Sequence, residues 1–260
     1  MDLSHLDRIK EEFTRQADTF AVHAVKADEK VELRFQNALG VAGDGNLLDV
    51  ACGPGVVTAA LAKAAKNITA FDATPAMLQK AQIRCKLANL TNVCFQEGDA
   101  QKMPFTDAVF DGVVTRLAIH HFADPTKVIA EIYRVLKPGG RAVIIDVIVS
   151  NDTEEAALQN AIETIRDPSH VRMLSEGELF NRVKDAGFVV QKFSGWDKDR
   201  EFDEWCKIAN DPQRIGPLRT IARTLAKDGR HAGFGLSLND QGKLKFFHRW
   251  RMIVADKPTG

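Results

Sequence analysis

Residues 47–55 constrain the fold most, because an apolar segment there runs directly into a turn that contains two glycines. The segment is interrupted only by Asp49, which is the pattern of a strand buried in a parallel sheet. Gly53 and Gly55 permit a tight turn and let a ligand approach the backbone where no Cβ intrudes. Residues 56–66 are rich in alanine, leucine and lysine, and they predict a helix whose N-terminus points at the turn. This order is typical of a nucleotide site at the carboxyl edge of an α/β sheet.

The same segment distinguishes between kinds of nucleotide. A dinucleotide fingerprint has a further glycine or alanine three residues after its second glycine, but Thr58 stands at that position. The next apolar strand ends at Asp72, nineteen residues after Gly53. A carboxylate at that distance suits the two hydroxyl groups of a ribose. Without the third glycine, the pattern favours one adenosine over a dinucleotide.

Polar residues stand at or just after the ends of four successive predicted strands, at Asp49, Asp72, Asp99 and Thr115. The carboxyl ends of parallel strands meet at one edge of a sheet, so these side chains are expected to surround one ligand. The Asp99 carboxylate suits the amino group of an adenine, and the alternative for this residue is an ordinary helix N-cap. The pattern therefore predicts a nucleoside-binding site.

Strands and helices alternate along most of the chain, which predicts a parallel sheet with helices on its faces. The predicted strands comprise residues 47–51, 68–71, 93–97, 109–115, 141–149, 188–193 and 245–255. The predicted helices comprise residues 5–36, 56–66, 75–88, 125–136, 152–166 and 176–186. Residues 42–46 break the pattern before the first strand, and residues 196–243 are interpreted as an insertion.

Charge balance, cysteine spacing and the distribution of apolar residues narrow the range of possible functions. Lysine plus arginine and aspartate plus glutamate both number 35 in the 260 residues, so the net charge is zero. This balance argues against a broad electrostatic surface for nucleic acid or anionic lipid. The four cysteines contain no C-x-x-C pair, and no cluster has metal-ligand spacing, which indicates free thiols and no metal site. The polar N-terminus is unlike a signal peptide, and no apolar run has membrane-spanning length. We therefore expect a cytoplasmic protein without a membrane span or a nucleic-acid partner.

Five short segments resemble the class I S-adenosylmethionine-dependent methyltransferases. They are LDVACGPG at residues 48–55, FDATPAML at 71–78, GDA-x-x-x-PF at 98–105, FD at 110–111 and RVLKPGG at 134–140. Within that family they are most similar to the methyltransferases of ubiquinone and menaquinone biosynthesis and their small bacterial relatives. Cys52 departs from the family, in which glycine or alanine is common at this position.

The resemblance implies a single Rossmann-like α/β domain spanning residues 1–260. Its sheet would have seven strands, parallel except for an antiparallel last strand, and it would carry helical cap insertions. The core would comprise about residues 40–150, 175–195 and 244–260, and the cap segments residues 1–36, 151–174 and 196–243.

The resemblance also implies S-adenosylmethionine as the cofactor and S-adenosylhomocysteine as its product. In the family, Asp49 and Gly53 would line the methionine moiety and Asp72 would bind the ribose. Asp99 and Ala100 would contact the adenine. The N-terminal helix of the family folds over the cofactor, although core packing explains its phenylalanines equally well. The complete set of expected cofactor contacts is Asp49, Ala51, Gly53, Asp72, Ala73, Met77, Asp99, Ala100, Thr115, Gln16 and Phe20.

The acceptor is expected to bind next to the segment that begins with Arg116, after the fourth strand. His120 or His121 suits general-base work on an acceptor, because the pKa of histidine lies near neutrality. The alternative for this pair is packing beneath the next helix. Arg116 either holds an anionic acceptor or forms a surface ion pair. His170 and Arg172, in an irregular segment, are further candidates to reach the pocket.

Aromatic residues near the C-terminus have two interpretations. They either line an apolar acceptor pocket or form the small core of the insertion itself. The residues concerned are Trp196, Trp205, Phe234, Phe246 and Phe247.

The leading functional hypothesis is methyl transfer from S-adenosylmethionine to an oxygen, nitrogen or carbon atom of a small-molecule acceptor. A protein that binds S-adenosylmethionine without transferring its methyl group is the first alternative. A nucleic-acid methyltransferase is disfavoured by the zero net charge and by the absence of an Asn/Asp-Pro-Pro-Tyr tetrad after the fourth strand. A nicotinamide-dependent oxidoreductase is disfavoured by Thr58 and by the lack of a Tyr-x-x-x-Lys pair, since Tyr133 is the only tyrosine.

Overall fold

The computed structural model describes residues 4–26, 31–40 and 45–260, and a mixed sheet of eight strands forms its centre. The strands are β1 Asn46–Val50, β2 Asn67–Asp72, β3 Val93–Glu97, β4 Phe110–Arg116, β5 Leu136–Ile148, β6 Val189–Glu201, β7 Ser237–Leu238 and β8 Leu244–Asp256. Their order is β3-β2-β1-β4-β5-β8-β6, and β7 pairs with β8. Neighbours from β3 to β5 are parallel, whereas β8 is antiparallel to both β5 and β6. The predicted α/β fold with an antiparallel last strand is confirmed, and the two-residue β7 is an addition to it.

Nine helices are present in the described residues, together with one 3₁₀ turn at Ile119–His121. The helices are α1 His5–Lys26, α2 Val31–Leu39, α3 Val56–Ala62, α4 Pro75–Leu87, α5 Pro125–Val135, α6 Thr153–Arg166, α7 Glu176–Asp185, α8 Phe202–Ala209 and α9 Pro212–Lys227. The helix predicted over residues 5–36 is therefore two helices, and the residues between them lie outside the described part of the chain. Residues 41–44, which include most of the predicted break before β1, also lie outside it. No helix of the described ranges is long and apolar enough to cross a bilayer.

Local capping explains where several helices begin. Asp124 accepts hydrogen bonds from the backbone N–H groups of Thr126 and Lys127, as the Asp-Pro pair at the start of α5 predicts. Ser175 and Glu178 form a reciprocal capping box at the start of α7. Thr74 stands at the predicted N-cap of α4, but its side chain makes no capping hydrogen bond; its backbone N–H donates to Asp72.

The strand β6 is longer than the sequence predicts. The sequence pattern places residues 196–201 in the insertion, because their charged side chains hide any strand pattern. In the structure they continue β6, and their pairing with β8 extends from Val189↔Asp256 to Glu201↔Lys245. The apolar β8 thus supplies the pairing partner that the local sequence of β6 does not reveal. The paired extension brings the last residues of β6 to the candidate functional site.

Buried apolar side chains form separate clusters on the two faces of the sheet. Leu47 and Leu48 are adjacent on β1 yet belong to different clusters, because successive strand residues point to opposite faces. A third cluster joins α8, α9 and the start of β8 and contains Trp205, Phe234 and Phe246. These three aromatic residues therefore belong to a small core of their own, and Trp205 also lines the cavity described below.

Candidate functional site

A cavity of about 460 Å³ opens at the carboxyl ends of β1, β2 and β4, within the range of roughly 300–1,000 Å³ that is usual for small-molecule sites. We divide its lining into two walls. The motif wall consists of Asp49, Ala51, Cys52, Gly53, Pro54, Phe71, Asp72, Ala73, Met77, Gly98, Asp99, Ala100 and Gln101. The second wall consists of Arg116, His120, His121 and Phe122, of residues from α1, α6, β6 and α8, and of Asp167, Met173, His248 and Trp250.

Asp72 organises the motif wall. Its Oδ2 accepts the Gly53 N–H at 2.8 Å and its Oδ1 accepts the Thr74 N–H at 2.8 Å. These bonds tie the turn after β1 to the turn after β2. Burial raises the pKa of Asp72, and the backbone N–H groups partly offset this. Each oxygen keeps a further lone pair, so Asp72 can accept hydrogen bonds from a ligand in the cavity.

The turn after β1 requires glycine at two positions. Gly53 and Gly55 have φ values of +52° and +74°, in the left-handed region that side chains disfavour. A Cβ on Gly55 would lie 2.7 Å from the Cβ of Ala81 on α4, whereas one on Gly53 would meet no atom within 4 Å. Gly55 therefore serves close helix packing. Gly53 keeps open space at the cavity wall.

Asp49 is almost fully buried and lies at the floor of the motif wall. Burial raises its pKa to about 7, although a 2.6 Å hydrogen bond from the Thr58 hydroxyl acts in the opposite direction. Thr58, the residue that breaks the dinucleotide fingerprint, thus has a defined partner. A positively charged ligand group in the cavity would favour the ionised form of Asp49.

Asp99 lies in a turn after β3. Its Oδ1 accepts the Gln101 N–H at 2.9 Å, and no helix begins in the following described residues up to the start of β4. The helix-cap alternative for Asp99 is therefore wrong. Ala100 beside it and Met77 of α4 both line the cavity.

Two of the predicted cofactor residues do not line the cavity. Thr115 is buried within β4, between the paired β1 and β5, because alternation along the strand turns its neighbour Arg116 to the cavity. Gln16 is a buried residue of α1, and its amide group donates hydrogen bonds to Glu12 and Asp167. Phe20, one turn further along α1, does line the cavity. Thr115 and Gln16 are thus structural neighbours of the cavity wall.

His120 forms a buried pair with Asp146. Its Nδ1 lies 2.5 Å from Asp146 Oδ1, and the same carboxylate accepts the backbone N–H groups of His120 and Val147. Burial by itself would lower the pKa of His120, but the charge and hydrogen bond of Asp146 outweigh it and raise this pKa. Asp146 engages Nδ1, and within the described part of the chain no residue bonds to the other ring nitrogen, Nε2, which a ligand in the cavity can reach.

His121 has different surroundings. Its Nδ1 lies 3.1 Å from the hydroxyl of Ser169, which in turn donates to Asp167. Its ring packs edge-on against Phe13 of α1, with centroids 5.0 Å apart. Burial and the neighbouring charge of His120 lower the pKa of His121 to about 3, so its ring is neutral at physiological pH.

His170 and Arg172 do not line the cavity. His170 is buried, with its ring centroid 5.7 Å from that of His120 and its Nε2 2.9 Å from Asn160 Oδ1. Burial lowers its pKa to about 4. Arg172 points to solvent and pairs with Glu178 of α7. His170 therefore supports the second wall from behind, whereas the Arg172 side chain does not.

A chain of polar and charged side chains forms part of the second wall. His248 of β8 connects Arg200 to Glu163, with 3.5 Å from Arg200 Nε to its Nδ1 and 2.9 Å from its Nε2 to Glu163 Oε1. Glu163 also lies 3.5 Å from Arg166. Burial would raise the pKa of Glu163, but the hydrogen bond with His248 outweighs it and holds this pKa low. All four residues line the cavity.

Sequence patterns do not identify Asp146, Glu163 and Arg200 as site residues. Asp146 has a usable signal, since it is a lone carboxylate within the apolar strand β5. Glu163 and Arg200 have none, because their contacts depend on His248, which is 85 residues from Glu163 in the chain. Such a grouping exists only after the sheet and α6 have packed.

Comparisons with known proteins agree on one family. The family of the methyltransferase domain, Methyltransf_11, matches residues 48–144. The uncharacterized methyltransferase YcgJ of Bacillus subtilis is 28% identical over 232 residues, which cover 89% of this chain and 91% of that protein. A demethylmenaquinone methyltransferase of Chlorobaculum parvum is 31% identical over 166 residues, covering 56% of this chain and 67% of that protein. The crystal structure of YcgJ has a TM-score of 0.82 at 27% identity and covers 90% of this chain and 100% of that one.

Proposed function

This chain belongs to the S-adenosylmethionine-dependent methyltransferases, and from that premise we propose that it methylates a small-molecule acceptor bound against the second wall. The acceptor atom would be an oxygen, nitrogen or carbon. The observation that carries this proposal is that one cavity joins the polar strand ends of the motif wall to His120, whose Nδ1 is held by the buried Asp146. A cofactor on the motif wall and an acceptor on the second wall would then meet within a single enclosed space.

The residues of the motif wall fit the proposed cofactor. Asp72 has lone pairs for two ribose hydroxyls while it holds two backbone N–H groups. Asp49 offers a carboxylate to a cationic amino group. The space beside Gly53, which a Cβ would enter, lets the backbone approach a ligand. Asp99 and Ala100 would contact the adenine.

The bound cofactor supplies a methyl group that a positively charged sulfur already activates. The protein therefore has to align the acceptor and, for an acceptor that loses a proton, to receive that proton. We assign the proton to Nε2 of His120, since Nδ1 is held by Asp146. Asp146 is the positioning residue, because it fixes the ring and stabilises its protonated form.

His121 is assigned a supporting role. Its low pKa and its contacts with Phe13 and Ser169 indicate a packed, neutral ring. Its carbonyl oxygen lies 2.7 Å from Nε2 of His5 at the start of α1. We propose that this contact helps hold α1 over the cavity. With α1, the parts of α6, β6 and α8 that line the cavity would act as its cap in a single-domain protein.

Calorimetry tests the cofactor assignment directly. Wild-type protein should bind S-adenosylmethionine and S-adenosylhomocysteine, and Asp72→Ala should weaken both by at least about tenfold. Asp185→Ala is the matched control, because Asp185 is exposed at the end of α7 and does not line the cavity. A wild-type protein that binds NAD(H) and not S-adenosylmethionine would overturn the proposal.

An acceptor screen then separates methyl transfer from binding alone. The measured quantity is the S-adenosylhomocysteine formed with each candidate small molecule. Formation that depends on the acceptor supports the proposed transfer. Tight cofactor binding without turnover across chemically diverse acceptors would favour a protein that binds S-adenosylmethionine without transferring its methyl group.

A further inference from the structure

Two arginines of the second wall point to the chemical nature of the acceptor. Arg200 of β6 and Arg166 of α6 both line the cavity, although 34 residues separate them in the sequence. Strand β6 lines the cavity with its last residues, which pair with the first residues of β8, as in Arg200↔Phe246. The tertiary structure therefore brings two guanidinium groups to one enclosed site.

Arg200 contacts its neighbour through Nε, and the two terminal nitrogens of its guanidinium group remain available to a ligand. Its Nε lies 3.5 Å from Nδ1 of His248, whose other ring nitrogen is engaged by Glu163. Among the described residues, no ion pair joins Arg200 to a carboxylate. Burial and the nearby charge of Arg166 lower the pKa of Arg200 to about 10, so the guanidinium stays charged at neutral pH.

Arg166 is more enclosed. It is 8% exposed, and its guanidinium carbon lies 4.5 Å from the ring centroid of Trp205. Its contacts with Glu163 and Asp167 are long, at 3.5 and 4.0 Å, and its Nε has no hydrogen-bond partner in the described structure. A buried arginine nitrogen without a partner is costly, and a ligand oxygen would remove that cost.

Two buried carboxylates lie near the two arginines, and their other contacts limit how closely they pair with them. Glu163 is committed to His248 and Arg166. Asp167 is occupied by the hydroxyl and N–H of Ser169. Other acidic residues of this wall, in β6 and α8, are exposed to solvent, where water screens their charge. The two carboxylates balance the charge of the two arginines overall, but neither forms an ion pair with Arg200, whose guanidinium group can therefore bind a ligand anion.

We propose that the acceptor carries an oxyanion, a carboxylate or a phosphate, that Arg200 and Arg166 bind together. The planar arginine fork matches the geometry of these two groups and suits a partly dry site. The apolar body of the acceptor would lie against Trp205 and Trp250 of the same wall. This inference rests on the proposed function, since it names the class of molecule that the methyl group reaches.

Anion binding to the protein loaded with S-adenosylhomocysteine tests the inference without a known acceptor. Sodium phosphate and sodium acetate are titrated separately at constant ionic strength, and the fluorescence of the three tryptophans is recorded. Saturable binding of phosphate points to a phosphorylated acceptor, and preferential binding of acetate points to a carboxylated one. Arg200→Gln should weaken the preferred anion by at least about tenfold.

Two further variants make the result specific. Arg219→Gln is the control, because Arg219 on α9 is partly exposed, pairs with Asp203 and does not line the cavity; anion affinity should stay unchanged. Arg200→Lys keeps the charge without the fork and should give an intermediate affinity.

Three outcomes would overturn the inference. They are the absence of saturable anion binding by the loaded wild type, equal anion binding by wild type and Arg200→Gln, and a loss of S-adenosylhomocysteine affinity in Arg200→Gln as large as the loss of anion affinity. The last result would assign Arg200 to the carboxylate of the cofactor. If the wild type fails to bind S-adenosylhomocysteine at all, the proposed function itself fails, and this distinguishes the two.

Discussion

The two walls of the cavity are built in different ways. The motif wall comes from residues 49–101, at or just after consecutive strands, and its turns are held by hydrogen bonds such as those from the backbone of Gly53 and Thr74 to Asp72. The second wall collects residues from 5 to 250 in the sequence and is held by long-range side-chain contacts such as His120–Asp146 and Glu163–His248.

The two walls therefore differ in how readily substitutions in the surrounding elements change their geometry. A wall built from turns between parallel strands keeps its form as long as the sheet forms. A wall built from side chains of α1, α6, β6 and β8 changes with each of those elements. We infer that cofactor binding and acceptor choice are separable properties of this protein, and substitutions in each wall can test that separation.

The largest effect is expected from Asp146→Asn. The substitution removes the charge that pairs with the buried His120, and loss of one partner of a buried pair costs on the order of 3 kcal/mol in the free energy of unfolding. The pKa of His120, raised in the wild type, should fall below its usual value because burial then dominates. Nuclear magnetic resonance titration of the histidine rings, with His120→Gln to assign the signal, measures this.

The sign of the pH dependence follows from the raised pKa. The His120–Asp146 pair stabilises the wild type fully below the ordinary histidine pKa, and this contribution is lost as pH rises through the pKa of folded His120. Chemical unfolding across this pH range should show the loss in the wild type and not in Asp146→Asn. S-adenosylhomocysteine affinity should change little, and a large loss would contradict the separation of the walls.

Gly55→Ala should produce the next largest effect, in the turn that carries Gly53 and Pro54 of the motif wall. The new Cβ would lie 2.7 Å from Ala81 at a φ of +74°, so both strain and overpacking oppose it. We expect a loss of about 2–3 kcal/mol in unfolding free energy, measured by urea denaturation. The matched variant Gly53→Ala has the positive φ but meets no atom within 4 Å, so it should lose only about 1 kcal/mol. Equal losses would refute the packing role of Gly55.

A smaller effect is predicted for the pH dependence of cofactor binding. Burial raises the pKa of Asp49 to about 7, so the carboxylate ionises within the physiological range. Its anion should favour the cationic amino group of S-adenosylhomocysteine, and affinity should rise up to about tenfold between about pH 6 and 8. Calorimetry on Asp49→Asn should show a flat profile; the same rise in this variant would assign it to another group.

The same shift predicts an opposite trend in stability. The folded protein holds a proton on Asp49 that the unfolded chain releases near pH 3.8, the ordinary pKa of an aspartate. The stabilisation from this proton should therefore be lost as pH rises from about 4 to 7. Thermal unfolding of ligand-free wild type and Asp49→Asn would measure the difference between their pH profiles.

The smallest effect is expected from Ser175→Ala, which lies outside both walls. It removes the capping box with Glu178 at the start of α7, at a cost of about 1 kcal/mol in unfolding free energy. Binding of S-adenosylhomocysteine and of phosphate should be unchanged. Any loss of ligand affinity would show that α7 is coupled to the cavity.

Sequence patterns predict the motif wall well, because each part of it follows the end of a strand that the local sequence reveals. Asp49, Gly53, Asp72 and Asp99 are all identified by their positions at strand ends, and each lines the cavity. The exceptions are residues whose side-chain direction depends on neighbouring strands or helices. Thr115 fits the strand-end pattern, yet it is buried, because its side chain points to the face of the sheet opposite to that of Arg116.

The second wall is predictable only where a local pattern exists. The sequence reveals the histidine pair after β4 but does not distinguish the two rings, since Asp146 and Ser169 lie 26 and 48 residues further along the chain. The extension of β6 escapes prediction because its own charged sequence does not favour a strand. Pairing with β8 decides its conformation.

The sequence by itself determined the alternation of strands and helices, the glycine turn and the carboxylates of the motif wall, because these depend on spacing and backbone freedom over a few residues. Only the tertiary structure decided which histidine has a carboxylate partner, and only it brought Arg166 and Arg200 to one cavity. Contacts of that kind depend on the packing of distant elements and on the burial that shifts a pKa. Neither is encoded in any short stretch of the chain.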